Sequence, residues 1–240
     1  MDTKTKPLRI DVWSDAVCPW CWIGKHRLKA ALAAEGQPEV DIHWHPFLLD
    51  PEADATPAPL REAYARKFGG IEKVEQILSH TQNTARAEGL PMDFDRGQVR
   101  VSTRDAHRMM VLAQREGRAE AVGEALFRAH FAEGRNLADP EVLADVGEAG
   151  GLARRQVLEW LASDAGREEV EADMALAQNL GIRAVPTFVF DGRLAVQGAQ
   201  SPEVFAQVFR EVGLPAPAEA AGAAMACGPD GCEIAPPEPR

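Results

Sequence analysis

The stretch Asp15-Ala-Val-Cys18-Pro-Trp-Cys21 decides the interpretation of this chain. It follows an apolar segment, Leu8 to Trp13, that alternates like a β-strand, and it precedes a helical pattern ending near Ala34. Two residues between the cysteines let both sulfur atoms meet across one helical turn. At a helix N-terminus the free N–H groups and the dipole favour an anion, and hence the thiolate of Cys18. Because a thiolate is the attacking species in thiol–disulfide exchange, we expect Cys18 to be the nucleophile and Cys21 the resolving thiol.

A cysteine pair of this spacing is also half of a zinc site, so a metal-binding protein is an alternative. The usual second pair would lie within a few tens of residues. The remaining cysteines, Cys227 and Cys232, are about 200 residues away. The position of the first pair between a strand and a helix therefore favours redox chemistry, and we predict no metal site.

Several basic side chains and histidines follow the cysteine motif. Lys25, His26 and Arg27 lie one to two helical turns further on and are expected to add positive potential. His43 and His45 share one face of a second predicted strand, but no third metal ligand is near them. Surface or packing roles are therefore favoured for these two histidines.

A proline directly before a later strand pattern is the second informative feature. It lies in the segment Gly181 to Phe188, where Val185-Pro186-Thr187 opens a β-branched and aromatic run. Together with a cysteine motif after the first strand, this segment predicts a cis peptide bond before Pro186. Trp20 lies between the cysteines and is expected to shape substrate access, whereas Trp22 is expected to be buried in the core.

Composition excludes several classes of protein. The chain has 240 residues, with 37 acidic and 26 basic side chains and a formal net charge of −11, which argues against a general nucleic-acid or anionic-membrane binder. No apolar run approaches the roughly 18 residues of a membrane span. Four cysteines are too few for a disulfide-stapled secreted scaffold. The first residues lack the pattern of a signal peptide, so we expect a cytoplasmic protein.

The order of patterns along the chain is βαβ, a helical block, and then ββα. We predict a domain formed by residues 1–50 and 182–213, an inserted all-helical domain at 51–181, and a mobile tail at 214–240. Two helix starts are expected in the insert, namely a capping box at Ser102 to Asp105 and an N-cap followed by proline at Asp139-Pro140.

These segments resemble the DsbA family of thioredoxin-fold oxidoreductases, and within it the FrnE-like proteins. The resemblance rests on Cys18-Pro-Trp-Cys21 with Asp15 and Gly24, on Val185-Pro-Thr187, and on further ordered segments such as His45 to Pro51 and Gly198-Ala-Gln200. It implies an α/β thioredoxin-like fold with an inserted all-helical domain, Cys18 facing Pro186, and peptide substrates pairing with the backbone near Val185. We assign catalysis to Cys18, Cys21 and Pro186, and substrate binding to Pro19, Trp20, Val185 and Thr187.

The same superfamily includes glutathione-dependent enzymes. Kappa-class glutathione transferases and 2-hydroxychromene-2-carboxylate isomerases typically have serine at the position of Cys18. Cysteine at both positions favours the redox branch, and the glutathione-dependent transferase or isomerase is kept as the alternative. Ser102 replaces an Asn that is frequent in this superfamily, so His107 is expected to be structural.

The second cysteine pair, Cys227 and Cys232, lies outside the resemblance. About 14 residues of linker give a root-mean-square reach of ~20 Å and an extended limit of ~46 Å, so the pair can visit the first one. We predict an auxiliary dithiol that exchanges with Cys18 and Cys21. A dispensable thiol pair and ligands for adventitious metal are the alternatives.

The sequence thus predicts a cytoplasmic protein disulfide reductase or isomerase without a cofactor. Its expected partners are disulfide-containing proteins and a recycling thiol reductant, either glutathione or a thioredoxin-like protein. Neither nucleic acid nor a membrane is an expected partner.

Overall fold

The computed structural model describes residues 7–214. Its elements in chain order are β1 (Leu8–Ser14), α1 (Pro19–Ala34), β2 (Val40–Pro46), β3 (Ala58–Pro59), α2 (Leu60–Phe68), α3 (Ile71–Ala87), β4 (Val99–Arg100), α4 (Arg104–Arg115), α5 (Ala119–Phe131), α6 (Pro140–Ala149), α7 (Arg154–Ala162), α8 (Arg167–Asn179), β5 (Thr187–Phe190), β6 (Leu194–Gln197) and α9 (Pro202–Val212). The second cysteine pair, Cys227 and Cys232, lies outside the described residues.

Two stretches that are far apart in sequence form one four-stranded sheet, in the order β2-β1-β5-β6. β1 pairs in parallel with β2 through the crossover helix α1, and it pairs antiparallel with β5. β5 and β6 form a hairpin in which Asp191 and Gly192 both have positive φ, 49° and 65°, as the Asp-Gly turn pattern predicts. The α/β class and the βαβ–helices–ββα order agree with the sequence analysis.

One face of the sheet is packed against α1 and α9. Ile10 and Val12 of β1 contact a set of aromatic rings on β5 and α9, comprising Phe188, Phe190, Phe205 and Phe209. All of these side chains are buried, and they form the core layer between the sheet and the two helices. The opposite face is partly covered by α8, which packs on β2.

The cysteine-bearing helix α1 is packed against the helices inserted between β2 and β5. Trp22 and Ile23 belong to a buried cluster with Leu78 of α3 and with Phe127 and Phe131 of α5. The inserted helices therefore hold one side of α1, while the sheet holds the other. A second buried cluster lies within the insert and joins α4, α5, α6 and α7.

The capping box predicted at Ser102 to Asp105 is wrong. α4 begins at Arg104 with Thr103 as its N-cap residue, whose side chain makes no capping hydrogen bond. Within the described part of the chain, the Ser102 hydroxyl accepts only the Arg104 N–H, at 3.4 Å. The Asp105 carboxylate pairs instead with Arg108, with 2.8 Å between Nη1 and Oδ1. The other predicted start is confirmed, because Asp139 accepts the Glu141 N–H at 2.9 Å. Among residues 7–214, every helix is too short or too polar to cross a bilayer.

Candidate active site

The first turn of α1 carries both cysteines of the motif. Cys18 is the N-cap residue, and Pro19 occupies the first helical position, where its missing N–H leaves nothing unpaired. Both cysteines are free thiols. Cys18 is 4% exposed and Cys21 is 1% exposed, so both thiols are buried and Cys21 is the more deeply enclosed of the two.

The loop before β5 lies against Cys18. The Val185–Pro186 peptide bond is cis, as the sequence predicts, and the Cys18 thiol donates to the Val185 carbonyl at 3.7 Å. Pro186 is buried, and its carbonyl accepts the Gly198 N–H at 2.7 Å, which fixes the loop to the end of β6. The structure thus brings together two segments that are 167 positions apart.

Thr187 was predicted to bind substrate, and its side chain does not fit that role. It is only 6% exposed, and its hydroxyl donates to the Ala184 carbonyl at 2.7 Å. The side chain therefore stabilises the loop from within. Pro19, Trp20 and Val185 are half-buried and remain accessible at the surface around Cys18.

Gly24 allows α1 to approach the cis-proline loop. A Cβ atom at this position would lie 3.0 Å from Pro186 Cγ and 3.2 Å from Phe188 Cζ. Its backbone is helical, so the close approach and not an unusual φ explains the glycine. The sequence alone assigns no role to Gly24, although an isolated glycine within a helical pattern indicates tight packing.

Asp15 connects the turn before Cys18 to the loop after β2. It is 1% exposed, its carbonyl accepts the Cys18 N–H at 3.0 Å, and its carboxylate accepts the Leu49 N–H at 2.8 Å. His107 Nε2 lies 3.2 Å from the Phe47 carbonyl and 3.5 Å from Asp15 Oδ1. His107 is therefore structural, as predicted, whereas the positioning role of Asp15 was missed.

Cys21 is held in its neutral form. Burial raises the pKa of the Cys21 thiol well above its ordinary value, and the adjacent Cys18 sulfur raises it further. The Ser14 hydroxyl and the Asp15 N–H act in the opposite direction without cancelling this effect. A thiol that stays protonated at rest suits a group that reacts second.

The prediction that Lys25 and Arg27 add positive potential near Cys18 is wrong, because both side chains are paired with carboxylates. Lys25 is buried and its Nζ lies 2.8 Å from carboxylate oxygens of both Glu120 and Glu124 on α5. Burial lowers the pKa of Lys25, but the two glutamates outweigh it and the net shift is upward. Arg27 Nε donates to Glu88 at 2.9 Å. These cations connect α1 to the inserted helices.

The two tryptophans of the motif have different environments. Trp22 is fully buried, with its ring 6.2 Å from that of Phe127, and its Nε1–H donates to Glu124 at 3.1 Å. The predicted core role of Trp22 is confirmed. Trp20 is half-buried beside Cys18, with its ring centroid 6.2 Å from that of His80 on α3. The insert therefore contributes to the surface around the nucleophile.

The strand histidines have packing roles. His45 Nε2 lies 2.8 Å from Asp11 Oδ1, and its Nδ1 lies 3.3 Å from Asp173 Oδ2 on α8, an ion-pair contact without hydrogen-bond alignment. The His45 ring stacks on Trp13 at 4.5 Å. Within residues 7–214, no three His, Cys, Asp or Glu side chains are grouped so as to hold a metal ion.

A Cys-X-X-Cys dithiol at the start of a helix is the arrangement of disulfide oxidoreductases. In this chain the dithiol also faces a cis-proline. The chain belongs to the family described as DSBA-like thioredoxin domain, which matches residues 9–210. The predicted thioredoxin-like fold of the DsbA family is thereby confirmed.

Individual relatives agree with this assignment. A probable DsbA oxidoreductase from Streptomyces coelicolor is 36% identical, with a TM-score of 0.80 over 95% of this chain and 100% of that one. YwbO, an uncharacterized protein of Bacillus subtilis, is 25% identical over 199 residues, 82% of this chain and 94% of the relative. DsbM, a cytosolic disulfide reductase from Pseudomonas aeruginosa, shares the fold at 22% identity and a TM-score of 0.61, over 85% of this chain and 98% of that one.

Proposed function

We propose that this protein is a cytoplasmic thiol–disulfide oxidoreductase of the FrnE-like type that acts on protein substrates as a reductase or isomerase. The contact between the Cys18 thiol and the Val185 carbonyl, at 3.7 Å on a cis-proline loop, carries the proposal. The position of the Cys18 sulfur beside the backbone of Val185 supports a reaction with a peptide disulfide that pairs with this backbone. The cytosolic DsbM shares this fold, which supports the cytoplasmic setting.

The reaction begins at Cys18. Its thiolate attacks one sulfur of the substrate disulfide, forms a mixed disulfide, and releases the other substrate sulfur as a thiolate that takes up a proton. Cys21 then loses its proton and attacks the Cys18 sulfur, which forms the Cys18–Cys21 disulfide and releases the second substrate thiol. The substrate gains two electrons and the protein loses two.

The dithiol is restored by a thiol reductant, for which we propose glutathione or a thioredoxin-like protein. In the isomerase mode, another thiol of the substrate attacks the mixed disulfide instead of Cys21. Cys18 is then released reduced, and no external reductant is consumed.

The Val185 carbonyl changes partner during the reaction. In the free protein it accepts the Cys18 S–H. Once Cys18 is in a mixed disulfide this hydrogen is gone, and the carbonyl is free to accept a backbone N–H of the substrate. Pro19 and Trp20 flank the reacting sulfur, and the buried Thr187 hydroxyl keeps the loop in place.

The proposal is tested by reduction of a protein disulfide and by reactivation of a scrambled one. We expect Cys18→Ser to abolish both activities, because no nucleophile remains. Cys21→Ser is the matched variant: it keeps the nucleophile and should accumulate a covalent mixed disulfide that is visible by mass spectrometry. If both variants behave like the wild type, the proposal is wrong.

The glutathione-dependent alternative predicts a different pattern. Saturable glutathione binding, with turnover of a small aromatic compound that survives Cys21→Ser, would favour the transferase or isomerase class. Loss of protein disulfide reduction in Cys21→Ser, without such turnover, supports the oxidoreductase.

We also propose that Cys227 and Cys232 form an auxiliary dithiol that exchanges with the active-site pair. Serine replacement of both should shift the redox equilibrium of Cys18 and Cys21 or their turnover. Unchanged values for both measurements would eliminate this exchange role.

A further inference from the structure

An open recess of about 440 Å³ adjoins the buried cluster that contains Cys18. It is lined by Asp50, Ala63, Tyr64, Arg66, Lys67 and Arg100. These residues come from the end of the loop after β2, from α2 and from β4, so the recess belongs to the inserted segment. The oxidoreductase chemistry described above assigns it no role.

The recess is positively charged in a chain whose net charge is −11. Asp50 is its one lining carboxylate, and it is paired with Arg100 at 2.6 Å between Oδ2 and Nε. Arg66 and Lys67 are exposed, and neither has a carboxylate within 4.0 Å among residues 7–214. Both lie in the last turn of α2, whose dipole contributes roughly half a negative charge, so a net charge of about +1.5 remains.

The recess adjoins the buried cluster that contains the cysteines. Leu49 and Tyr64 pack against the buried cluster that contains Cys18. Tyr64 also lines the recess, and the residue after Leu49 is its lining carboxylate Asp50. Burial raises the pKa of the Tyr64 phenol to about 12, and the negative charges of Cys18, Asp15 and Asp50 raise it in the same direction. Tyr64 therefore reaches from the active site to the recess.

We propose that this recess binds carboxylate side chains of the substrate, so that the protein selects disulfides set in acidic segments. The inference rests on the proposed oxidoreductase function and adds a substrate class to it. A peptide whose cystine sulfur is at Cys18 extends over the Leu49–Tyr64 layer, and an Asp or Glu a few residues away then meets Arg66 and Lys67. Among residues 7–214 no carboxylate lies within ion-pair distance of either cation, and Asp50, the acidic group of the recess, is paired with Arg100.

The test uses three peptide disulfides of one length that differ only near the cystine, where they carry Asp, Asn or Lys on both sides. We expect the wild type to reduce the Asp peptide with a kcat/KM about threefold to tenfold above that of the Asn peptide, since exposed ion pairs are individually weak. The Lys peptide should be slowest. The differences should shrink at an ionic strength of about 1 M, where the screening length is roughly 3 Å.

Charge variants test whether Arg66 and Lys67 cause the preference among the three peptides. Arg66→Glu/Lys67→Glu should reverse the order of the peptides, and Arg66→Gln/Lys67→Gln should abolish it without reversal. Arg155→Glu is the matched control, because Arg155 is an exposed cation on α7 whose partner is Glu159 at 3.5 Å, outside the recess. This control should leave the wild-type order unchanged.

The outcomes separate the two proposals. If the wild type reduces all three peptides equally, the acidic-substrate inference is overturned and the oxidoreductase function stands. If it reduces none of them, the proposed function itself fails. Oxidised glutathione, a small disulfide that also carries carboxylates, is the last arm. A loss of its reduction in the glutamate variant with no change for the Asp peptide would overturn the assignment to peptide substrates.

Discussion

Gly24 on α1 and Pro186 in the cis-proline loop are packed so closely that a methyl group on Gly24 would require its neighbours to shift by a few tenths of an ångström. A Cβ atom on Gly24 would be 3.0 Å from Pro186 Cγ and 3.4 Å from the Ala199 Cα. This contact sets the distance between the helix that carries the cysteines and the loop that faces them. The reactivity of Cys18 toward a bound peptide therefore depends on a glycine that takes no part in the chemistry.

Gly24→Ala should push α1 away from the loop. We expect kcat/KM for disulfide reduction to fall roughly tenfold, because small displacements of reacting groups are costly. Overpacking should also lower the free energy of unfolding by about 1 kcal/mol. Gly123→Ala is the control: this helical glycine on α5 has only the flexible end of Met110 nearby, at 3.6 Å. If both variants keep full activity, the contact between Gly24 and Pro186 does not affect catalysis.

His130 should make the protein less stable in mild acid. Burial lowers the pKa of His130 from 6.5 to about 4, against smaller upward effects of Asp15 and of a backbone group. Below pH 6.5 the unfolded chain takes up a proton that the folded chain refuses, so stability falls by about 1.4 kcal/mol per pH unit and by about 3 kcal/mol at pH 4. His130→Phe should remove this contribution to the pH dependence of the unfolding free energy, which urea unfolding between pH 7 and 5 measures. An exposed control, His80→Gln, should keep it.

His45 should act in the opposite direction and in a different pH range. Burial lowers the pKa of His45, but Asp173 and Asp11 outweigh it and the pKa is raised above 6.5. Its contribution to stability is therefore complete below pH 6.5 and is lost as the pH rises through the raised folded value. The difference in unfolding free energy between wild type and His45→Gln should be largest near pH 6 and should narrow at higher pH. An NMR titration that places the folded pKa at or below 6.5 would contradict this.

Neutralising the two carboxylates that pair with Lys25 should lower the free energy of unfolding more than removing the lysine does. Glu120→Gln/Glu124→Gln leaves a buried ammonium group uncompensated and should cost about 2 kcal/mol, less than for a fully buried pair because both glutamates are partly exposed. Lys25→Met removes the buried charge and should cost less. Urea unfolding of both variants measures the difference, with Glu159→Gln as an exposed control. Equal costs for the two variants would show that the buried charge is not the cause.

Much of the site could be predicted because its information is local. The strand, the cysteine spacing and the helix start all lie within residues 8–34, and the proline before β5 is read from its immediate neighbours. The capping box at Ser102 was also predicted from local residues, and this prediction is wrong. Several polar residues in a row allow more than one helix start, and the surrounding packing selects Thr103 as the N-cap residue.

The chemistry-bearing residues and the α/β order were determined by the sequence alone, since residue type and the spacing of neighbours specify them. Only the tertiary structure decided which charges oppose each other, which side chains are inaccessible, and how closely backbones approach. Lys25 is 95 and 99 positions from its glutamates, and Gly24 is 162 positions from Pro186. No local rule identifies such partners, because their proximity results from the packing of the whole insert against α1.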